Sequence, residues 1–524
     1  MSAAPRRPQG GRPAGPRTTS ARRVAFDVLR AVQVDDAYAN LLLPSRIRRA
    51  GLSARDAGFA TELTYGSIRM LGRYDAIIGV ASGRRVENVE ADVLDVLRLG
   101  VHQLLGMRTP VHAAVSATVE LAREVGARRA TGFVNAVLRK VAARTDDEWD
   151  ASITEGRAGD ALLATRWSHP AWVVAALRDA LAAERSRDEL AALLAADNVA
   201  PRVQLVALPG LATDEDVRTA VRPPASAPED DVTDAVDRDQ SSDGTGDPSV
   251  TASGPRAADG TDAAPPVPDV VVEADRSPVS PVGIRGVSGD PARVPGVAAG
   301  RLRVQDEGSQ LAALALSRSS AVRPGERWLD MCAGPGGKAA LLAAEARVGG
   351  ATLVANELVP ARAGLVRKAL STVADESVVT VRQGDARRFG APGDERFDRI
   401  LLDAPCTGLG ALRRRPEARW RKQPEDVPEL AALQTELLDA AVRALAPGGT
   451  LAYVTCSPHL AETRGQVDAL MSRHGDVLEQ LDTAGIVRAV AARDPQVADG
   501  RTVQLWPHRT GTDAMFVALF RRTA

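Results

Sequence analysis

Two cysteines carry the chemistry open to this sequence. Cys406 lies in Ile400–Leu409 (ILLDAPCTGL) and Cys456 in Leu451–Pro458 (LAYVTCSP). Each follows an apolar run that reads as a buried strand ending at a polar turn. A thiolate adds readily to electron-poor carbon, and a second acid or base beside it can handle the proton that must move when such an adduct resolves. Asp403 stands at the first of these strand ends, three residues before Cys406. If the two strands are neighbours, both sulfurs and the carboxylate look into one crevice, where open α/β sheets gather their chemistry.

A third thiol opens the turn Cys332, Ala333, Gly334, Pro335, Gly336, Gly337, Lys338, which follows the strand-like stretch WLDM. The turn is not a phosphate loop: Cys332 stands at the first glycine position of that motif and Ala339 at its Ser/Thr position. A dinucleotide fingerprint is only partly met, again because of Ala339. A compact glycine turn after an acid, Asp330, permits close approach by a small polar cofactor. The next strand ends supply Glu357, Asp385 and Asp403 in order. An acid at the second strand can take ribose hydroxyls, and one at the third can meet an adenine amine. An acid at each end is the arrangement expected of S-adenosyl-L-methionine binding.

These groups require parallel strands. The spacing predicts strands at Arg327–Met331, Thr352–Asn356, Val378–Arg382, Arg399–Asp403, Leu451–Thr455 and Ala514–Phe520. Helices are predicted at Gly337–Ala346, Pro360–Leu370 and Pro428–Leu445, with Pro447-Gly448-Gly449 turning into the following strand. The alternation defines a doubly wound, Rossmann-like α/β domain.

Upstream, helical stripes begin at Val24, Leu29 and Val32 and recur at Phe59–Leu71, Val93–Leu105, Ala113–Val125 and Ala136–Val141, giving an all-α domain without a catalytic constellation. RVQLVALP (Arg202–Pro209) is an isolated strand candidate, and His169 a cap or packing residue. Residues 1–21, arginine- and proline-rich, are expected to be a disordered basic tail. Residues 223–283 hold thirteen acidic and three basic residues and no Leu, Ile or aromatic side chain, so a disordered acidic insertion is expected there. The formal net charge of −1 hides this asymmetry. Without the insertion the chain is basic, which suits a phosphate-rich partner.

Three cysteines without a CxxC pair argue against a disulfide framework and a structural zinc site, and for a reducing, cytoplasmic compartment. No apolar run reaches membrane-spanning length. No metal, no membrane and a monomer are expected. Arg413, Arg414, Arg415, Arg419 and Trp420, just beyond Cys406, read as an RNA-binding cluster of phosphate-attracting charge and a stacking face.

The stretches VQDEGSQLAA, LDMCAGPGGKAA, LLDAPCTGLGALRRRPEARW, LAYVTCSPHLAE and GTDAMFVALF together resemble the RsmB/Sun-type RNA cytosine-5 methyltransferases of bacterial 16S rRNA. ARRVAFDVLRAV, GFATELTYGSIR and GFVNAVLRKV resemble the NusB-like RNA-binding domain. The resemblance implies a NusB-like domain over 22–145, a bridging subdomain over 146–222 and a methyltransferase domain over 284–524. It further implies S-adenosyl-L-methionine on Cys332–Lys338, Glu357, Asp385 and Asp403, Cys456 as nucleophile and Cys406 as the thiol that resolves the adduct. The chain departs from the family's usual residues at Gly334, commonly Ala, and at Glu357, commonly Asp. Two other readings compete: the same chemistry on another RNA, and a non-catalytic RNA-binding ribosome assembly factor.

Overall fold

The computed structural model describes residues 19–221, 278–287 and 290–523. The expected basic tail, and nearly all of the expected acidic insertion, lie outside the described residues.

The strands run β1 Leu205–Ala207, β2 Gly283–Ile284, β3 Leu302–Val304, β4 Arg327–Asp330, β5 Thr352–Glu357, β6 Val379–Gln383, β7 Phe397–Asp403, β8 Leu445–Thr455, β9 Leu478–Gln480, β10 Thr502–Gln504 and β11 Phe516–Arg522. The main sheet has the order β10-β11-β8-β7-β4-β5-β6, with β9 paired to β11. From β8 through β6 the strands are parallel, and β11 is antiparallel to β8, β9 and β10. Helices cover both faces. Leu311–Leu316 and Ala339–Ala346 pack on one side, and Leu437–Ala444 with Val467 and Leu470 on the other. Because β7 and β8 are direct neighbours, the two cysteine turns emerge side by side.

All six predicted strands exist. The four short ones that sequence reading missed, β2, β3, β9 and β10, have only two or three residues each, too few to show alternation. Pro447–Gly449 does not separate two elements: it bulges within β8, where pairing with β7 jumps from Phe397–Leu445 to Arg399–Thr450. Strand β1 pairs with β2 and β3 in a small antiparallel sheet ahead of the main one.

The N-terminal region is a helical bundle. Helices Ala21–Val34, Ala54–Arg69, Ala91–Leu105, Val111–Glu124 and Thr131–Ala142 bury the predicted apolar stripes. Helices Ala39–Ala50 and Leu71–Ser82 join them. Among the described residues no helix is long and apolar enough to cross a membrane. The helices Ala171–Ala182 and Leu190–Asp197 then lay Val173, Leu177 and Leu193 against Leu409 and Leu412, just beyond Cys406.

The segment Arg413–Arg421 corrects the expectation of an exposed RNA face. Arg419 is 0% exposed. Its guanidinium donates to the carbonyls of Arg69 (3.3 Å), Ser168 (3.0 Å) and Asp197 (3.2 Å) and to Asn198 Oδ1 (2.9 Å). Arg413 is buried too, and its carbonyl accepts from Arg69 at 3.4 Å. The Trp420 ring fills the notch left by Gly72 in the helical domain, where a Cβ would come within 2.4 Å of it. Arg414 is tied to Asp513 and Asp306. Only Arg415 stands in the open. The segment is therefore mainly a clamp between the catalytic domain and the helices before it: Arg419 holds their backbone oxygens and Trp420 packs against Gly72.

Arg419→Ala is expected to lower stability by about 3 kcal/mol, since it strands several buried acceptors at once. Chemical denaturation of the full chain measures this, and a loss below about 1 kcal/mol contradicts the clamp.

Candidate active site

Cys406 and Cys456 meet. Their sulfurs are 3.5 Å apart at the ends of β7 and β8. Backbone bonds stitch the two turns together: Ala404 N–H donates to Val454 O (2.9 Å), and Gly410 N–H to Cys456 O (2.8 Å). A buried carboxylate completes the join. Glu462 accepts from the Thr407 N–H (2.7 Å), the Thr407 hydroxyl (2.5 Å) and the Ser457 hydroxyl (2.6 Å). Thr407 and Ser457 each directly follow one of the cysteines, so one acid fixes both turns. Sequence reading passed over Glu462 as a site residue; its only signal was a charged residue within an otherwise buried turn.

The environment separates the two thiols. The hydrogen bond from the Cys406 S–H favours a thiolate at Cys456, and Lys338 and Arg415 draw that thiol further down. Burial and Asp403 act against them but do not prevail. Cys406 goes up, since it is the donor of that bond, is buried, and faces Glu462 and Asp403. Lys338, expected to line the cofactor turn, thus also acts on the Cys456 thiol. Its ammonium forms a 2.7 Å ion pair with Asp403, which keeps it charged despite burial. Cys332 does not join the pair: burial first, then Asp330 and Asp403, hold its thiol protonated.

The glycine turn sits between β4 and the helix Gly337–Gly349. Glu357, at the end of β5, accepts from the Gly334 N–H (3.0 Å) and the Val359 N–H (2.9 Å). A Cβ at residue 334 would stand 2.2 Å from Glu357 Oε2. The two departures from the family pattern therefore fall on one contact, the Glu357 carboxylate occupying the space that a methyl at 334 would take. Asp385 is held ionised by Arg387 (2.7 Å) on the rim of a cavity of about 490 Å³ that Asn356, Gly384 and Phe389 also line. Asp330, which the sequence reading did not assign to the site, is 1% exposed, and among the described residues neither carboxylate oxygen has a hydrogen-bond partner of good geometry. Burial, reinforced by Asp403, pushes it up to about 8.

An orphaned carboxylate beneath a glycine turn, with three more acids at successive strand ends, fits a small cationic cofactor. S-adenosyl-L-methionine, with its sulfonium and ammonium groups, is such a molecule. Fold and site together define a methyltransferase of the doubly wound class. The profile of the 16S rRNA methyltransferase RsmB/F family matches residues 319–521, and that of the NusB family residues 19–143. A Mycobacterium tuberculosis protein named as a methyltransferase (Rv1407) is 43% identical over 505 residues, covering 96% of each chain. Ribosomal RNA small subunit methyltransferase B of Salmonella typhi is 30% identical over 448 residues, 85% of this chain and 88% of that one. The crystal structure of PH0851 superposes with a TM-score of 0.69 at 20% identity, covering 96% of this chain and 98% of that one, and so shares the fold. The chain belongs to the RsmB/F family of RNA methyltransferases.

Two measurements test the cofactor pocket. Gly334→Ala alone is expected to weaken S-adenosylmethionine binding about tenfold, on the scale of an overpacked contact, whereas Gly334→Ala with Glu357→Asp restores it. Calorimetric titration of the four proteins gives the coupling, and additive effects contradict compensation. For Asp330, the folded chain holds a proton that the unfolded chain releases from about pH 4 upward. Stability associated with the neutral form is complete below that pH and lost as pH rises toward about 8. Urea denaturation between pH 5 and 8 should show a falling stability for the native protein and a flatter profile for Asp330→Asn.

Proposed function

We propose that this chain transfers a methyl group to C5 of a cytosine in RNA, most naturally 16S rRNA, through a covalent adduct between Cys456 and C6. The observation that carries this reading is the pair of sulfurs 3.5 Å apart, with the Cys456 thiol held down and the Cys406 thiol held up.

Cytosine C5 is a poor nucleophile. Addition of the Cys456 thiolate at C6 converts the ring to an enamine-like species whose C5 can attack an electrophilic carbon. S-adenosyl-L-methionine supplies, when bound, a methyl group on a positively charged sulfur. Cys332–Lys338, Glu357, Asp385 and Asp403 would hold it, and Asp330, kept protonated by burial, lies below the turn. Once C5 is substituted, its proton leaves and the Cys456–C6 bond breaks. Cys406, adjacent to the sulfur that departs, is placed to exchange a proton in that step. Lys338 stabilises the thiolate before addition and again after release. The cytosine reaches the thiols only when unpaired or turned out of a helix. An enzyme acting on ribosomal RNA works in the cytoplasm, which accords with three free thiols.

DNA cytosine methylation would place the nucleophile at the Pro-Cys turn, which here is Cys406. RNA containing 5-fluorocytosine separates the two assignments. Cys456→Ala is expected to form no covalent complex with it, while Cys406→Ala still forms one and loses methyl turnover by about 100-fold or more. The reverse pattern overturns the assignment of the nucleophile. A non-catalytic assembly factor would show no heat on calorimetric titration with S-adenosylmethionine.

A further inference from the structure

The loop between helices Ala21–Val34 and Ala39–Ala50 is fastened to the catalytic domain beside Tyr38: the carbonyls of Val32 (3.1 Å) and Ala37 accept from the Arg421 guanidinium. Tyr38 reaches that guanidinium with its ring alone. It is 46% exposed, and its hydroxyl makes no hydrogen bond among the described residues. Its ring lies 4.9 Å from the Arg421 guanidinium carbon and 6.0 Å from that of Arg415. Arg415 is the exposed arginine of the segment and acts on the Cys456 thiol.

A partly exposed aromatic ring beside two guanidinium groups, one of them within electrostatic reach of the nucleophile, is the local chemistry that single-stranded RNA meets in a binding channel. The aromatic role expected of Trp420 is closed, because that ring is wedged against Gly72. We propose that Tyr38, contributed by the helical domain, is an RNA-contacting residue of the catalytic cleft: its ring stacks on a nucleotide neighbouring the target cytosine while Arg415 meets an adjoining phosphate. The helical domain thereby supplies part of the substrate site itself. This assignment rests on the reaction proposed above. It also has a structural consequence: the ring is half exposed and makes no hydrogen bond among the described residues, so its removal is expected to leave the fold intact.

The test uses the full chain and an in vitro transcript of bacterial 16S rRNA, with methyl transfer followed from labelled S-adenosylmethionine. Tyr38→Ala is expected to raise KM for the transcript about 5- to 100-fold, the scale of one lost base–aromatic stack. Its kcat, calorimetric affinity for S-adenosylmethionine and melting temperature should stay near those of the native protein. Tyr38→Phe, which keeps the ring, should retain the native KM. A KM for Tyr38→Ala within twofold of native overturns the proposal, as does a fall in melting temperature and cofactor affinity that accounts for the loss. If the native protein methylates no cytosine C5 in the transcript, the proposed reaction itself fails, an outcome distinct from native methylation that is indifferent to Tyr38.

Discussion

A single carboxylate sealed beneath the two cysteine turns determines whether this site exists. Glu462 is 0% exposed and takes three hydrogen bonds from Thr407 and Ser457. An ionised acid in such a place is costly unless its oxygens are satisfied, and hydrogen bonds to a charged acceptor are among the stronger ones available. The cost of burial thus acts as a geometric constraint: the carboxylate is accommodated only when both turns close on it, and that closure brings the sulfurs together. The rest of the catalytic sheet can be seen as the frame that delivers β7 and β8 to this acid.

The second constraint joins the domains. Among the described residues, Arg419 is a buried guanidinium with no carboxylate at hydrogen-bond distance: its two terminal nitrogens are taken by carbonyl and amide oxygens drawn from three separated stretches of chain, and its Nε has no partner. Such a group tolerates little displacement, since each oxygen lost leaves donor and acceptor unpaired in a dry environment. Because Arg419 lies in the segment that follows Cys406, the helical domain and the bridging helices hold the catalytic turn from outside. The helical domain, which matches the NusB family, thus also braces the turn after Cys406.

Charge is distributed with equal economy around the cofactor turn. Four carboxylates line this region, and three cations already answer them: Lys338 pairs with Asp403, Arg362 with Glu357 and Arg387 with Asp385. Asp330, the one without an ion pair of its own among the described residues, rests protonated because it is buried, with Asp403 beside it. The Gly334–Glu357 pairing shows the same region under steric limits: the Glu357 carboxylate fills the space beside Gly334 that a Cβ would take.

Much of this was legible in one dimension. Hydrophobic alternation and glycine punctuation located all six principal strands, because a strand buried on both faces leaves a run that little else produces. The three thiols and the strand-end acids were visible as residue types at strand ends. Three short-range readings failed for one reason. Arg413, Arg419 and Trp420 look like a solvated basic-aromatic surface, and nothing local announces that backbone oxygens hundreds of residues earlier in the chain are waiting for them. Glu462, Asp330 and Tyr38 were passed over for the complementary reason, since burial, orphaned oxygens and proximity to a cleft are properties of packing. The sequence by itself determined which groups were available and on which kind of element each would ride. Only the tertiary structure decided which of them meet, because β7 and β8 become neighbours, and the helical domain comes to lie against the turn after Cys406, through contacts between residues far apart along the chain.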